Sequence, residues 1–333
     1  MQLIKKTVSF CPTCYKRIPA EVGISDGVVA MEKRCDIHGH FSEVVESDVG
    51  FYLQCLNARA PFFYPGYFLD VTKRCNLKCK YCYYEVEQTS KDRSVDSILS
   101  EAAVHAPMAP IILTGGEPTL RKDLVGIVKA VKDLAPVELL TNGTGLGAKT
   151  LDALIPLLSV GNTVSINLSM HPESNGADYA TVEAFKERGL KLESVLFVID
   201  DLDQIDGILS YCESNKDAIE AVRIKAATNL WAEQKSAKKI FVSDMVNRMK
   251  KHGAEPIWWR TNKTSFFNMQ LGGIYYMLVS WYDVYNVDLF DIACPPFYKA
   301  KTGAVENIVT ANIINEGIMK GWLDGEKLKG AAQ

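Results

Sequence analysis

Six extended apolar runs alternate with helix-like stretches in the middle of the chain. The predicted strands are Tyr67–Thr72, Ile111–Thr114, Val137–Thr141, Val164–Ser169, Leu192–Ile199 and Ala221–Lys225. The predicted helices are Val95–His105, Lys122–Leu134, Ala148–Leu158, Asp178–Arg188 and Leu202–Ser214. Strands that alternate with helices require a parallel sheet with right-handed crossovers. We therefore predict an α/β fold whose functional residues lie at the carboxyl ends of the strands.

A short loop after the first predicted strand contains three cysteines, Cys75, Cys79 and Cys82. Thiolates are the usual ligands of iron–sulfur clusters, and a [4Fe–4S] cluster held only by protein uses four of them. Three close cysteines would leave one iron without a protein ligand. An open coordination position is what separates a catalytic metal from a structural one. The alternatives are a three-thiolate zinc site and chance spacing.

The segment CNLKCKYC, residues 75–82, resembles the cysteine signature of the radical SAM enzymes, and GGEP at 115–118 resembles their second motif. The resemblance implies a partial (βα)6 barrel with Cys75, Cys79 and Cys82 as catalytic cluster ligands. It also implies that the open iron binds the amino and carboxylate groups of S-adenosylmethionine (SAM). Cleavage of SAM would then give a 5′-deoxyadenosyl radical that attacks the substrate.

The same resemblance indicates which residues contact SAM. Glu117 is expected to accept a hydrogen bond from the methionine amino group, and the TNG element at 141–143 to lie beside the methionyl group. The expected cofactor-binding residues are Tyr81, Gly115, Gly116, Glu117, Pro118, Thr141, Asn142, Asn167 and Ser169. Taken alone, GGEP after a strand is also typical of an ordinary tight turn, and Tyr81 of core packing.

Other polar residues near strand ends have two interpretations each. His171 either faces the substrate or belongs to an ordinary turn before a proline. Arg223 and Lys225 on the sixth strand either meet the SAM carboxylate or form surface ion pairs. The sequence does not decide between these alternatives.

Residues 1–56 carry a second metal-binding pattern. A CPTC pair and a CDIH pair are separated by twenty residues, which is typical of a zinc-ribbon or rubredoxin-like module. We predict a closed structural site for one zinc or iron, which would supply folding free energy to a small module. The predicted ligands are Cys11, Cys14, Cys35 and His38. His40 and Cys55 are substitute fourth ligands, and free thiols without a metal are the remaining alternative.

The rest of the chain is divided by composition. Residues 57–66 are predicted to be a linker, 67–229 the partial barrel, and 230–333 an α+β extension that closes the barrel and contributes to the substrate pocket. A helix at Lys235–Lys251, a hairpin at Gly272-Gly273 and a last helix at Val305–Leu323 are expected in this extension. Its candidate pocket residues are Arg260, Asn262, Lys263, Trp281 and Asp283.

Composition and charge narrow the function classes. The net charge is −3, which gives no general electrostatic reason to expect nucleic acid or an anionic membrane. We find no apolar run of membrane-spanning length and no signal-peptide pattern, so we expect a cytoplasmic protein. Six of the nine cysteines fall in the two clustered sites, which indicates metal and redox chemistry rather than disulfides. Cys55, Cys212 and Cys294 are interpreted as buried apolar residues.

The resemblance extends beyond single motifs. Residues 10–145 resemble archaeal tetraether lipid synthases and methanopterin-precursor methylases, but the linker lacks their additional cysteines. Neither lipid coupling nor methylation therefore follows. We predict a radical SAM enzyme for a small-molecule or lipid-like substrate, with bond formation or methylation as the leading reaction and a one-electron donor such as flavodoxin or ferredoxin. Modification of a peptide or protein is the enzymatic alternative, and a non-enzymatic metal-binding scaffold is the alternative of another class.

Overall fold

The computed structural model describes residues 1–14, 16–57, 66–82, 86–106, 110–158, 164–171, 174–227, 239–257 and 266–280. These residues form a four-stranded antiparallel sheet at the N-terminus and a nine-stranded sheet that contains the remaining strands. None of the helices in the described part is long and apolar enough to cross a membrane.

The N-terminal sheet is an antiparallel meander followed by one helix. Its elements are β1 (Gln2–Phe10), β2 (Arg17–Ser25), β3 (Val28–Cys35), β4 (Gly39–Glu46) and α1 (Val49–Asn57). Asp26 and Gly27 both have positive φ, 52° and 78°, as the tight turn between β2 and β3 requires. A small core forms around Val22, Met31 and Tyr52. The sequence predicts short strands at Val28–Met31 and Phe41–Val45, so β3 and β4 are longer than predicted, and β1 and β2 were missed.

The main sheet contains seven parallel strands, and two more strands join its end through antiparallel pairings. The order is β5-β6-β7-β8-β9-β10-β13-β12-β11. Its strands are β5 (Tyr67–Thr72), β6 (Ile111–Gly115), β7 (Val137–Thr141), β8 (Val164–Met170), β9 (Leu192–Ile199), β10 (Ile219–Ala226), β11 (Glu255–Pro256), β12 (Phe266–Leu271) and β13 (Ile274–Val279). The helices are α2 (Val95–His105), α3 (Leu124–Lys132), α4 (Ala148–Leu158), α5 (Ala177–Glu187), α6 (Gln204–Ser214) and α7 (Val242–Lys251).

Hydrophobic periodicity explains how helices and sheet meet. In α3 the buried residues Leu124, Ile127, Val128 and Val131 repeat at helical spacing, so one stripe of the helix packs on the sheet. On the sheet side, alternate residues of each strand are buried, such as Leu69 in β5. The core is therefore a continuous layer between the helices and one face of the sheet. We call the opposite face of the sheet the inner face.

The α/β prediction is confirmed, and the sheet is open within the part of the chain that the structure describes. All six predicted strands are present, and their ends agree within two residues. The predicted helix Lys235–Lys251 was wrong at residues 239–241, because α7 begins at Val242. Phe241 caps this helix, and its backbone N–H donates to the Asp244 carboxylate at 2.9 Å.

The described strands after residue 238 continue the sheet. β13 pairs in parallel with β10, placing Met277 beside Arg223, and the predicted hairpin turns at Gly272 and Gly273, both with positive φ. Residues 58–65 of the predicted linker, the last predicted helix and Cys294 lie outside the described residues. The same holds for the candidate pocket residues Arg260, Asn262, Lys263, Trp281 and Asp283. The domain boundaries at 56, 66 and 229 remain predictions.

Candidate functional site

The cysteine loop leaves β5 at Thr72 and places its three thiols at the carboxyl edge of the sheet. Cys75 is buried, whereas Cys79 and Cys82 are half-buried. The Cys82 N–H donates to the Cys79 carbonyl at 3.1 Å, which closes a tight turn, and the Leu77 N–H donates to the Cys75 sulfur at 3.4 Å. Burial raises the pKa of the Cys75 thiol. Three thiols on one short loop fit a cluster that takes three protein ligands.

The GGEP turn is interlocked with this loop through backbone contacts. The Gly116 N–H donates to the Thr72 carbonyl at 2.9 Å, and the Glu117 N–H donates to the Arg74 carbonyl at 2.8 Å. A Cβ at Gly115 would lie 2.1 Å from the Thr72 oxygen, and one at Gly116 would lie 2.2 Å from the Arg74 oxygen. Any side chain at either position would therefore push the cysteine loop away.

Two arginines fix the same loop from outside. Arg74, next to Cys75, donates to both oxygens of Asp92, from Nε at 3.1 Å and Nη2 at 2.7 Å. These bonds lower the pKa of Asp92. Arg121 is buried and donates from Nη1 to the carbonyls of Val71 at 2.7 Å and Arg93 at 2.8 Å. The conformation around the first cysteine is thus set by side-chain bonds as well as by the strand.

Glu117 is buried at the centre of the site, and both of its carboxylate oxygens accept hydrogen bonds. Oε1 accepts from the Thr119 N–H at 3.0 Å, the Thr119 hydroxyl at 2.5 Å and the Thr141 hydroxyl at 2.7 Å. Oε2 accepts from the Asn142 N–H at 2.7 Å. Burial raises the pKa of Glu117, and these bonds oppose the rise. Because a carboxylate oxygen has two lone pairs, Oε2 retains capacity for one further donor, such as an ammonium group.

Asn142 joins the end of β7 to the cysteine loop. Its amide Nδ2 donates to Asn76 Oδ1 at 3.1 Å, and its Oδ1 accepts from the N–H and the hydroxyl of Thr144. Gly143 follows with a φ of 78°. The predicted TNG element therefore holds both Glu117 and the residue after Cys75. Whether Thr141 and Asn142 also contact SAM remains a prediction.

Tyr81 forms a bridge to the end of β9. Its hydroxyl donates to Asp200 Oδ2 at 2.7 Å, and the neighbouring Lys80 donates to the same oxygen at 3.1 Å. Both bonds lower the pKa of Asp200. The sequence analysis expected Tyr81 to contact the cofactor or to pack on the core, and it did not identify this tyrosine–aspartate contact. A contact between Tyr81 and SAM remains a prediction.

The residues predicted at the end of β8 differ in their surroundings. Asn167 is buried within a polar network on the inner face. Ser169, the next inner-face residue of the strand, is half-buried. The His171 N–H donates to the Asp178 carboxylate at 2.7 Å. The Asn167 amide donates to Glu138 Oε2 at 3.0 Å. Sequence reasoning missed Glu138. The available signal was a single acid within an apolar strand.

The predicted ribbon ligands lie close together. The ligand atoms of Cys11, Cys14, Cys35 and His38 are all within 4.8 Å of one another. His38 Nδ1 lies 3.6 Å from the Cys11 sulfur and 3.5 Å from the Cys35 sulfur. Backbone N–H groups of Ile37 and His38 lower the pKa of Cys35, which favours the thiolate. Three thiols and one imidazole at this spacing fit one tetrahedral ion.

The two substitute ligands lie elsewhere. His40 is 2.5 Å from Glu32, and Cys55 is buried in the core of the main sheet. Neither belongs to the group of four ligand atoms. Among the described residues, the ligand atoms with the spacing for one metal ion therefore come from the CPTC and CDIH pairs, as the sequence predicts.

Comparison with known proteins agrees with both motifs. Residues 69–208 match the model of the radical SAM superfamily, and residues 3–47 match that of the HMPTM N-terminal zinc ribbon domain. The first match agrees with the radical SAM motifs of the sequence, and the second agrees with the predicted ribbon pattern in the N-terminal sheet. The radical SAM match begins within β5 and ends within α6.

Two curated relatives are similar to part of this chain. A 7,8-dihydro-6-hydroxymethylpterin dimethyltransferase of Methanocaldococcus jannaschii is 26% identical, covering 66% of this chain and 53% of its own. A probable GTP 3′,8-cyclase of Sulfurisphaera tokodaii is 29% identical, covering 47% of this chain and 55% of its own. The chain thus spans about half the length of these relatives.

Among solved structures, the chain is similar to Streptococcus suis SuiB bound to S-adenosylmethionine. The identity is 17% and the TM-score is 0.46, and the match covers 60% of this chain and 49% of that one. A likeness of this size does not indicate the substrate.

Proposed function

We propose that this protein is a radical SAM enzyme that acts on a small molecule. The observation that supports it most is the interlock between the cysteine loop and the GGEP turn. Gly115 and Gly116 lie so close to the backbone at Thr72 and Arg74 that the two motifs form one unit. The radical SAM match and the names of the curated relatives support the same proposal.

Each part of the site has a role in this proposal. Cys75, Cys79 and Cys82 would hold a [4Fe–4S] cluster, which supplies the electron that cleaves bound SAM into methionine and a 5′-deoxyadenosyl radical. Glu117, held by Thr141 and the Asn142 N–H, presents Oε2 to the methionine ammonium. Because a buried carboxylate fixed by hydrogen bonds does not reorganise, it orients the ligand at little entropic cost.

We propose a small polar heterocycle as the substrate class. The two relatives are named for a dihydropterin and for GTP. Both compounds contain a fused heterocycle with an amino-pyrimidinone ring, although their named reactions differ. Methylation and cyclisation are therefore both compatible with the region that this chain shares with them. A lipid-like substrate and modification of a peptide remain as alternatives.

We propose zinc for the ribbon and an acidic protein as the electron donor. A set of three cysteines and one histidine is a common structural zinc site, whereas rubredoxin-type iron uses four cysteines. Lys73 is paired with Glu87 at 2.7 Å, whereas Lys78 on the same loop is exposed and presents positive charge to an acidic donor such as flavodoxin or ferredoxin. A cytoplasmic location remains a prediction.

The test is anaerobic reconstitution with iron and sulfide, followed by reduction and a 5′-deoxyadenosine assay. Wild type should produce 5′-deoxyadenosine from SAM, and Cys79→Ala should produce only background. Cys212→Ala removes a buried thiol in α6, away from the loop, and should retain the activity. Equal yields from wild type and Cys79→Ala would contradict the proposal and favour a non-enzymatic metal-binding protein.

A further inference from the structure

Four polar residues on neighbouring strands meet on the inner face of the sheet. Glu138, Asn167, Ser194 and Arg223 belong to β7, β8, β9 and β10, in that order. Asn167 and Ser194 are paired in register. Arg223 lies two residues, or one inner-face position, closer to the carboxyl end of β10 than the residue that pairs with Ser194. The four side chains therefore form a polar row across the middle of the parallel sheet, below the cysteine loop.

Hydrogen bonds orient every member of the row. Asn167 Oδ1 accepts from Arg223 Nη2 at 2.7 Å and from the Ser194 hydroxyl. Arg223 also donates to the Ser194 hydroxyl, from Nε at 3.0 Å. Because the Asn167 oxygen accepts the bonds from Arg223 and Ser194, the amide nitrogen Nδ2 points toward β7 and donates to Glu138 Oε2 at 3.0 Å. The network thus fixes the carboxylate of Glu138 in one orientation.

Only one of the two carboxylate oxygens of Glu138 accepts a hydrogen bond from the described residues. Within the described residues, Oε2 accepts the Asn167 bond and Oε1 accepts none. The side chain is half-buried on the inner face, where burial raises the pKa of Glu138 and Arg223 lowers it. A carboxylate oxygen that accepts no bond from the protein is available to a ligand with an N–H group.

The surroundings of Glu138 suit a flat ring. Leu140, Leu196 and Val198 lie on the same face, nearer to the carboxyl ends of the strands, and each is half-buried. Glu138 is four residues before Asn142, which is roughly 13 Å along a strand. Apolar residues on the same surface as one oriented polar group are typical of small-molecule sites.

We propose that Glu138 binds the amino-pyrimidinone edge of the substrate, which presents a ring N–H beside an exocyclic amino group. A carboxylate accepts two such adjacent donors side by side. The dihydropterin and guanine compounds in the relatives' names both present that edge. This inference rests on the proposed function and names the group that the site recognises.

The experiment is a binding titration of the reconstituted full-length protein under anaerobic conditions. The probes are 6-hydroxymethyl-7,8-dihydropterin, GTP and the 2-oxo analogue of the dihydropterin, which lacks the exocyclic amino group. Wild type should bind the dihydropterin or GTP, and the 2-oxo analogue at least tenfold more weakly than the dihydropterin. Glu138→Gln should bind the amino compounds at least tenfold more weakly than wild type, because the new amide opposes a donor.

Two further variants keep the outcome interpretable. Glu138→Asp preserves the charge but withdraws the carboxylate, so it should also bind more weakly. Glu187→Gln changes an exposed acid at the end of α5 and should bind like wild type. The inference is overturned if Glu138→Gln binds the amino compounds as wild type does, or if wild type binds none of them. The yield of 5′-deoxyadenosine from the same wild-type samples tests the proposed function separately.

Discussion

The hydroxyl of Thr141 donates a 2.7 Å hydrogen bond to Oε1 of Glu117, so the end of β7 orients the carboxylate of the GGEP turn. Thr141→Val should remove this bond and leave a buried acceptor short of one donor, at a cost of about 1–3 kcal/mol. We expect SAM to bind roughly tenfold more weakly in calorimetry of the reconstituted protein. Thr150→Val on α4 is the matched control, and unchanged SAM affinity in Thr141→Val would contradict this role.

The backbone interlock predicts a steric effect at Gly116. In Gly116→Ala the new methyl would lie 2.2 Å from the Arg74 carbonyl oxygen, so the cysteine loop must move and bound iron should fall. Gly126→Ala in α3 meets nothing within 4 Å and should keep its iron and gain about 1 kcal/mol of helix stability. Iron per chain after reconstitution is the measurement. A wild-type iron content in Gly116→Ala would show that the contact does not matter.

The two candidate histidines of the ribbon give a matched pair. His38 Nδ1 lies within 3.6 Å of two ligand sulfurs, whereas His40 lies beside Glu32. His38→Ala should reduce bound zinc from about one ion per chain and destabilise the ribbon, since a structural metal supplies folding free energy. His40→Ala should keep the zinc. Elemental analysis decides this, and the reverse result would move the fourth ligand to His40.

A cluster of ion pairs joins α6 to α7 and predicts a pH dependence. Asp206 accepts from Arg248 Nε at 2.7 Å and from His252 at 2.8 Å, and these bonds lower the pKa of Asp206 to about 2. The folded chain therefore holds this proton less tightly than the unfolded chain. The resulting stability is present above the unfolded value, near pH 4, and is lost as the pH falls through about 2.

Asp206→Asn should accordingly lower the melting temperature at neutral pH, by an amount that shrinks as the pH falls below about 4. Added salt should reduce the difference, because the pairs are exposed. Asp217→Asn, an exposed acid after α6, serves as the control. Thermal unfolding followed by circular dichroism gives both values. A difference that grows toward low pH would contradict the assigned role of Asp206.

Local patterns predicted the elements that are buried in the main sheet. These strands are apolar runs bounded by turn residues. For Val137–Thr141, the sequence predicted both ends of the strand. Strand β1, Gln2–Phe10, was missed because lysines and other polar residues interrupt its pattern. Strand β13 was missed as a sheet member because it joins β10 only after α7 and a hairpin. Such long-range pairing leaves no local signal.

The candidate site divides in the same way. The spacing of the three cysteines indicates a cluster loop, and the resemblance to the radical SAM enzymes implies the role of GGEP, since both are contiguous motifs. The role of Glu138 could not, because it depends on the register of β7 against β8, which places Asn167 within reach of that carboxylate. The contact between Tyr81 and Asp200 likewise joins residues 119 positions apart. Both contacts result from the fold rather than from sequence proximity.

The central claim is that Cys75, Cys79 and Cys82 leave one iron of four open for SAM. Mössbauer spectroscopy of protein reconstituted with 57Fe, recorded with and without SAM, tests it most directly. We predict that SAM changes the signal of about one quarter of the cluster iron and leaves the other three quarters unchanged. A spectrum that SAM does not alter, or one in which all four irons are equivalent with SAM bound, would contradict the claim.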